Sequence, residues 1–565
     1  MPVVASPRGD RLGRQGGKRP HHGSPAQVLA AARAIAALAP ERSAEQQATD
    51  ELADLVIDVA GTPIDERGVA ATLESRGLRD IDAVERYGKR DIFDLADEVF
   101  VRARAIEPGE PTFLQPEKER VSHRSFAFAY LRGVFSFLPL LAQVILLVTI
   151  GYSQWGWVHF RLAQASTVAL AVGLALLGTA GSVQVLGYLG PLFSESDKHT
   201  LTRRATYRTL ALGMLVSAIF AGVVCIPLLA TGAYPADRIG QAVVYDVLIS
   251  ALWLLNGALY MLKRQFWILV GIGVSVGVVA AVLNGSDWGI YAAHWIGLAV
   301  GAAVQLAVVA SLLRRRAAQT PEGLRLAKFP RLTVLRPAIV PLFLYGTAYF
   351  GLLLGDRAVA WSAGHNPLPI WFNTSYELGL DVALFGAAVG IAFLECALHA
   401  FTKLALPRQD RYSGLQLTDH NRWYMRFFAR QLAVVVGLVV VGGALMLGLV
   451  TVLHDAGVLG NTARYYNDPV TQRVFVLGLV GYGLVAVGVA SSGVLFNLAR
   501  PGLAARAIVA GVAVDLAVGM VLSRVVDFSY AVVGLVAGGL VFAILAGQAA
   551  SKVLRRADYY LFAAY

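Results

Sequence analysis

Eight ionisable residues stand out because each lies inside, or at the end of, a long apolar run. They are Asp246, Asp356, Arg357, Glu377, Asp381, Glu395, His399 and Asp515. An ionisable side chain at bilayer depth costs on the order of several kcal/mol unless it is paired or hydrated. Such residues therefore indicate ion pairs, proton relays or a hydrated pathway, and we take these eight as candidates for a substrate or ion pathway.

Four of the eight lie on one predicted helix that begins near Glu377. Helical residues advance by about 100° each, so Asp381, Glu395 and His399 lie at about 40°, 0° and 40° from Glu377 around the axis. The four form a stripe that must face protein or water rather than lipid. Two interpretations of Glu377 and Asp381 stay open: they pair with Arg357, or they serve passage. Asp246 and Asp515 either hydrogen-bond to a neighbouring helix or take part in function.

The elements that must position these residues are apolar segments of about 20 residues, the length that crosses a bilayer as a helix. Transmembrane β-strands would be about half as long. The sequence predicts twelve spans: Gly133–Tyr152, Thr167–Gly190, Leu210–Ala230, Ala242–Met261, Phe266–Leu283, Ile290–Leu313, Ala338–Trp361, Leu378–Phe401, Leu432–Leu453, Val474–Leu495, Leu503–Leu522 and Phe528–Ala549. The predicted fold is an all-α integral membrane protein.

Basic residues in the connecting loops indicate the orientation of these spans. Loops on the N-terminal side hold 21 Lys and Arg residues, and loops on the opposite side hold five. Cytoplasmic loops carry the excess of positive charge, so both termini are predicted in the cytoplasm. The same bias explains the net charge of +11 through contact with anionic lipids, and nucleic-acid binding is not required.

The first 125 residues differ from the rest, with 18 Lys and Arg against 21 Asp and Glu. We expect a disordered basic tail at 1–25 and a small cytoplasmic helical domain with a proline-rich linker at 26–125. Its clearest amphipathic segment predicts one buried face formed by Ile92, Leu95, Val99 and Val101. Spans at 126–313 and 338–565 then form two six-helix bundles joined by a basic cytoplasmic linker at 314–337.

The sequence lacks the motifs that several kinds of chemistry require. The sequence contains no phosphate-binding Gly-rich loop ending in Lys-Ser/Thr, so we do not expect nucleotide hydrolysis. Cys225 and Cys396 both lie in apolar runs, and His294 has no second histidine at zinc-ligand spacing. The predicted outer loops are short for a catalytic platform. We therefore expect no enzyme activity, no cofactor and no metal site.

Short segments resemble the Pel exopolysaccharide transporter family. They are LFLYGTAYFGLLLGDRAVAW at 342–361, YELGLDVALF at 376–385, VQVLGYLGPLFSESD at 183–197 and ADYYLFAAY at 557–565. That family belongs to the flippase superfamily of multidrug, oligosaccharidyl-lipid and polysaccharide exporters. The resemblance implies two six-helix bundles that alternate access around a central cavity. The N-terminal extension and the first span depart from the family.

The expected function is export of a Pel-like exopolysaccharide across the inner membrane by alternating access. The substrate would be a polysaccharide or a lipid-linked glycan, and the partners a cytosolic glycosyltransferase and other export components. Two alternatives remain: a cation-coupled flippase for lipid-linked glycans or drugs in the same superfamily, and a membrane scaffold that recruits a glycosyltransferase through 26–105.

Overall fold

The computed structural model describes residues 44–60, 63, 65–105, 123–321, 328–364, 366–401, 403, 417–457 and 467–562. The expected basic tail at 1–25, the proline-rich linker at 106–122 and the centre of the basic linker at 322–327 lie outside these residues. Within the described part, helices account for nearly all of the regular structure, and the only β pairing is an isolated bridge between Tyr152 and Trp157.

Among the described residues, four short helices form a separate unit that precedes the membrane region in the sequence. They are α1 (Ala44–Ala60), α2 (Glu66–Ser75), α3 (Asp80–Tyr87) and α4 (Ile92–Ala105). Asp65 caps α2 by accepting a hydrogen bond from the backbone N–H of Gly68 at 2.6 Å, which satisfies one of the donors left free at a helix start. Leu73, Leu95 and Val99 lie in a core of their own.

The prediction of the buried face of α4 is wrong at one residue. Ile92, Leu95 and Val99 are buried, but Val101 is 65% exposed. Val101 lies nine residues after Ile92, which at about 100° per residue places it on the opposite side of the helix. Ala103 is buried in its place.

The described part of the membrane region contains twelve long helices, which we number in chain order. They are α5 (His123–Ile150), α6 (Leu162–Ser194), α7 (His199–Ala230), α8 (Ala236–Met261), α9 (Phe266–Gly285), α10 (Ile290–Ala318), α11 (Leu332–Trp361), α12 (Thr374–Ala400), α13 (Leu417–Asp455), α14 (Pro469–Asn497), α15 (Pro501–Val525) and α16 (Val532–Leu554). A short helix, α17 (Ala557–Phe562), follows.

Eleven of these helices are long and apolar enough to cross a membrane without interruption, and α5 makes the twelfth if its bent segments count as one span. The bend is 48° and lies just before Pro139, a residue that cannot donate a helical backbone hydrogen bond. The predicted all-α membrane fold is confirmed, and the chain is a multi-pass membrane protein. Most helices extend several residues beyond the predicted spans.

The membrane helices pack mainly within each half of the chain. In the first half α6 packs against α7 and α8, and α9 against α10; in the second α11 packs against α15, α12 against α13 and α14, and α16 against α14 and α15. The halves meet where α6 packs against α11 and α5 against α12. Gly346 of α11 makes the first contact possible, because a Cβ there would lie 2.7 Å from the carbonyl oxygen of Ala180.

Candidate functional site

Arg357 lies at the centre of a buried cluster in the second half. It forms an ion pair with Glu377 through Nη1, and its Nη2 donates to Asp381 Oδ1 at 3.0 Å. Nη2 also lies 3.3 Å from the Tyr482 hydroxyl on α14. Arg357 therefore joins α11 to the first two turns of α12 and to the middle of α14. Of the two interpretations from the sequence, the structure shows the pairing.

Glu377 and Asp381 differ in their surroundings. The Glu377 side chain is 8% exposed, and its Oε1 accepts a hydrogen bond from Trp361 Nε1 at 2.8 Å. The Asp381 side chain is 52% exposed. Glu377 is thus the buried counterion of Arg357, whereas Asp381 meets the same guanidinium from a much more accessible position.

Asp356 faces a different part of the second half from Arg357, since neighbouring helical residues point about 100° apart. Its Oδ2 accepts a hydrogen bond from the Tyr376 hydroxyl at 2.8 Å, and the residue is fully buried. Asp515 of α15 approaches the same turn of α11, since a Cβ at Gly355, the residue before Asp356, would lie 2.5 Å from Asp515 Oδ2. This places Asp515 beside the cluster built around Arg357.

Asp515 is fully buried, and neither of its carboxyl oxygens has a hydrogen-bond partner among the described residues. Glycines on both sides make room for it. A Cβ at Gly355 of α11 would lie 2.5 Å from Oδ2, and a Cβ at Gly534 of α16 would lie 2.7 Å from Oδ1. The helices approach this carboxyl group so closely that only glycine fits at these two positions.

The end of α11 that carries Asp356 and Arg357 is fixed by Arg524. Its guanidinium donates to the carbonyl oxygens of Val359 at 3.2 Å and Ser362 at 3.0 Å. A cation at the C-terminus of a helix satisfies free carbonyl groups and opposes the helix dipole. Arg524 therefore ties α15, which carries Asp515, to the end of α11. We call Asp356, Arg357, Glu377, Asp381 and Asp515 the carboxylate cluster.

Glu395 and His399 do not join the carboxylate cluster. They lie about 27 Å or more from Glu377 along α12, at a rise of about 1.5 Å per residue, and both are half-buried. At that end α12 packs against α5, where Gly133 meets the backbone of Ala392. The predicted stripe is therefore divided between two ends of the helix.

Asp246 lies in the first half and is also buried, but it has hydroxyl neighbours. The Ser250 hydroxyl lies 3.5 Å from Asp246 Oδ1 and 2.8 Å from the Ser217 hydroxyl of α7. The preceding residue, Tyr245, points toward α10, and its hydroxyl lies 2.9 Å from His294 Nδ1. The first half therefore holds its aspartate in a hydroxyl network rather than in an ion pair.

An aromatic surface adjoins Tyr245 and His294. The rings of Tyr291 and Trp295 stack with centroids 6.2 Å apart, and Phe160 stacks on Tyr291 at 6.0 Å. These three rings are half-buried, and Trp295 Nε1 has no hydrogen-bond partner in the described part of the chain. We call Phe160, Tyr291 and Trp295 the aromatic surface.

The sequence did not identify Tyr376, Tyr482 or Trp361 as members of the site. Each is an aromatic residue in or beside an apolar run, a pattern equally typical of interfacial anchors. For Tyr376 the available signals were its adjacency to Glu377 and its place in the segment YELGLDVALF, which resembles the Pel family. Among the described residues, no three His, Cys, Asp or Glu side chains are placed to hold one metal ion.

Comparisons with known proteins bear on the fold. No family model matches the sequence, and no curated protein matches it. A solved structure of a variant of the Vibrio cholerae MATE transporter VcmN shares 15% identity and a TM-score of 0.51, covering 78% of this chain and 100% of that one. An outward-facing multidrug resistance MATE transporter of the MOP superfamily shares 12% identity and a TM-score of 0.46, covering 76% of this chain and 94% of that one.

At these identities the likeness concerns architecture alone. The VcmN structure is matched over its whole length, so the membrane region of this chain has the fold of MATE transporters. The resemblance to the Pel family remains an expectation from the sequence. The chain is thus a multi-pass membrane protein with a MATE-type fold and a carboxylate cluster in its second half.

Proposed function

We propose that this protein is an alternating-access exporter coupled to protons through the carboxylate cluster. The observation that carries the proposal is the imbalance of charge in that cluster. Three of its carboxyl groups are buried, those of Asp356, Glu377 and Asp515, against one guanidinium, so with every group ionised the buried part of the cluster would hold a net charge of about −2. A buried charge of that size is strongly unfavourable, which makes uptake of a proton or another cation the natural response.

Asp515 is the group we assign to proton binding. It is fully buried, lacks a hydrogen-bond donor in the described structure, and lies against Gly355, the residue before Asp356. An ionised carboxyl group away from water is unfavourable, the more so when another carboxyl group is in the same cluster, so Asp515 is suited to bind a proton. Arg357, by contrast, already has its counterion in Glu377.

The position of Asp515 connects protonation to helix packing. Its carboxyl group lies between Gly355 of α11 and Gly534 of α16, where there is little room for a hydrated ion. Loss of the proton would place an unpaired charge at this contact, favouring a conformation in which water reaches Asp515. Because α11 packs against α6 of the first half, a change in its position is transmitted to the contact between the halves.

For the cargo we propose a glycan, either an exopolysaccharide of the Pel type or a lipid-linked saccharide. The sequence resemblance at 342–361 and 376–385 supports this class. The aromatic surface is a second feature in its favour, since aromatic rings stack on the apolar faces of sugars.

A second candidate cargo is an organic cation, as in a drug exporter. The observation that favours it is that neighbouring positions of α8 connect the two: Tyr245 contacts both Tyr291 and Trp295, and the next residue is Asp246, whose side chain points about 100° away around the helix. Cations are attracted to aromatic faces and to a nearby carboxylate. Either cargo would cross an inner membrane with both termini of the protein in the cytoplasm.

The helical unit at 44–105 has its own core and is proposed to dock a cytosolic partner, such as the glycosyltransferase that makes the polymer. A docked synthase would raise the concentration of nascent polymer near the transporter. In the scaffold alternative, docking would be the whole function, and the carboxylate cluster would serve stability alone.

The test measures polymer export and dye efflux in matched strains. Strains carrying Asp515→Asn, and Asp237→Asn as a matched control at an exposed helix end, are compared for secreted polymer and for dye efflux at equal membrane abundance. Export lost in Asp515→Asn alone supports proton coupling, and the assay that responds identifies the cargo. Unchanged export in Asp515→Asn refutes the coupling role. Deletion of residues 2–110 separates docking from transport: polymer export falls while dye efflux by the transporter is retained.

A further inference from the structure

A pocket of about 510 Å³ at the basic end of the first half is lined almost entirely by arginine. Its lining residues are Arg203, Arg204, Tyr207, Arg208 and Arg314, and we call it the arginine pocket. Four come from the first turns of α7, and Arg314 comes from the last turns of α10. The two helices pack against each other, so the pocket lies between adjacent helix ends.

The arginine pocket carries unneutralised charge. In the part of the chain that the structure describes, none of its four guanidinium groups forms an ion pair, although ion pairs are present elsewhere in the membrane region at Arg238 and Arg357. Four like charges on one pocket repel one another unless an anion lies between them. Guanidinium groups bind phosphate especially well, because their planar N–H groups match its oxygens.

One arginine is held in place by aromatic packing. The Arg208 guanidinium lies over the ring of Phe329 at 5.0 Å, and Phe329 packs on Phe193 with ring centroids 5.6 Å apart. The backbone N–H of Thr200 donates to the Thr320 hydroxyl at 3.1 Å, which ties the start of α7 to a residue just beyond the end of α10. Contacts from both described ends of the segment that connects the halves therefore hold the pocket in shape before a ligand binds.

The surface next to the pocket points to a lipid rather than a soluble anion. Arg204 and Arg208 lie on one face of α7, and that face continues as a row of exposed apolar side chains at intervals of three or four residues. The row consists of Leu212, Leu215, Ile219, Val223 and Ile226. A lipid with its phosphate group in the pocket would thus have its acyl chains alongside this row, as phospholipids do when they bind a membrane protein.

We infer that the arginine pocket binds the headgroup of a phospholipid that carries two phosphate groups. Four guanidinium groups exceed what one singly charged phosphodiester neutralises, whereas two phosphates can each engage two of them. Basic pockets between membrane helices recognise such headgroups through charge and shape together. Bound lipid would neutralise the pocket and stabilise the packing of α7 against α10.

The test measures lipid binding to the full-length protein purified in detergent. Titration with fluorescent cardiolipin, a two-phosphate lipid, is compared with phosphatidylglycerol, phosphatidylcholine and inorganic pyrophosphate. The variant Arg204→Gln with Arg314→Gln removes two pocket charges and leaves Arg208 on Phe329. The control Arg264→Gln with Arg315→Gln removes two exposed charges from the same end of the membrane region, outside the pocket.

We expect cardiolipin to bind more tightly than the other two lipids and to lose affinity on the order of 20-fold in the pocket variant, since each arginine contributes about a fivefold factor. The control should lose less than about twofold. Equal losses in both variants, or no preference for cardiolipin, would overturn the proposal. Displacement of cardiolipin by pyrophosphate at similar concentrations would also overturn it, because the site would then accept soluble phosphate. If the double variant does not fold, cardiolipin binding is compared between two single variants at neighbouring positions, Arg314→Gln inside the pocket and Arg315→Gln outside it, and the same outcomes apply.

Discussion

Replacing the two acidic partners of Arg357 one at a time should have very different effects on stability. Glu377→Gln removes the charge of a counterion that is 8% exposed and leaves an 11% exposed guanidinium without its buried partner. Breaking a buried ion pair in this way costs about 3–5 kcal/mol. Asp381→Asn removes the charge of a 52% exposed partner, and accessible pairs contribute only about 0–1 kcal/mol.

Other interactions of Glu377 are retained in this substitution. The amide oxygen introduced by Glu377→Gln can still accept the hydrogen bond that Trp361 Nε1 donates at 2.8 Å, so the loss reports the ion pair itself. Thermal unfolding in detergent, followed by size-exclusion profiles after heating, should show a lower midpoint for Glu377→Gln and a nearly unchanged one for Asp381→Asn. Equal destabilisation by the two variants, or none by Glu377→Gln, would contradict the view that Arg357 depends on one buried counterion.

Two further predictions concern topology and the helical unit before the membrane region. A cysteine introduced at Gln319 should resist an impermeant thiol reagent added outside intact cells, while one introduced at Asn366 should react. Native Cys225 and Cys396 are buried, so they should not add background labelling. Reversed labelling would invert the topology. In the unit at 44–105, the hydrogen bond from Lys89 lowers the pKa of Glu98 below its usual 4.5, so its contribution to stability is present above that pH and lost as the pH falls through the lowered pKa. Circular dichroism of that segment should show acid unfolding that Glu98→Gln weakens; an unchanged acid transition would show that other carboxylates control it.

The membrane architecture could be predicted from the sequence because bilayer thickness imposes a length on each apolar run. The twelve spans correspond to α5–α16, and the main difference is that most helices continue several residues beyond the apolar runs, because polar residues end an apolar run without ending a helix. The role of α5 could not be predicted. It belongs to the first half by chain order but packs chiefly against α12, a contact that depends on Gly133 and leaves no periodic signal in the sequence.

For the carboxylate cluster, the sequence shows which residues carry charge but not how their side chains are arranged. Arg357 has an obvious need for a counterion, so pairing with Glu377 or Asp381 was one of the two interpretations offered. Which of the two carboxylates is buried depends on where α12 begins relative to α11, and no rule of spacing gives that offset. Tyr376 and Tyr482 were missed for a related reason, since a hydroxyl group becomes informative only when its partner on another helix is known.

Asp246 and Asp515 look alike in the sequence, as single aspartates in the middle of apolar helices, yet their surroundings assign them different roles. Asp246 has the Ser250 hydroxyl beside it, backed by Ser217, and hydroxyl groups can rotate to serve either protonation state. Asp515 has glycines on two sides, one of them the residue before Asp356, so nothing in the described structure compensates its ionised form. Charge on Asp515 therefore has a larger effect on helix packing than charge on Asp246. For that reason we propose proton coupling in the second half, and we propose that the first half, with Asp246 held among hydroxyl groups and a half-buried aromatic surface beside Tyr245, contacts cargo.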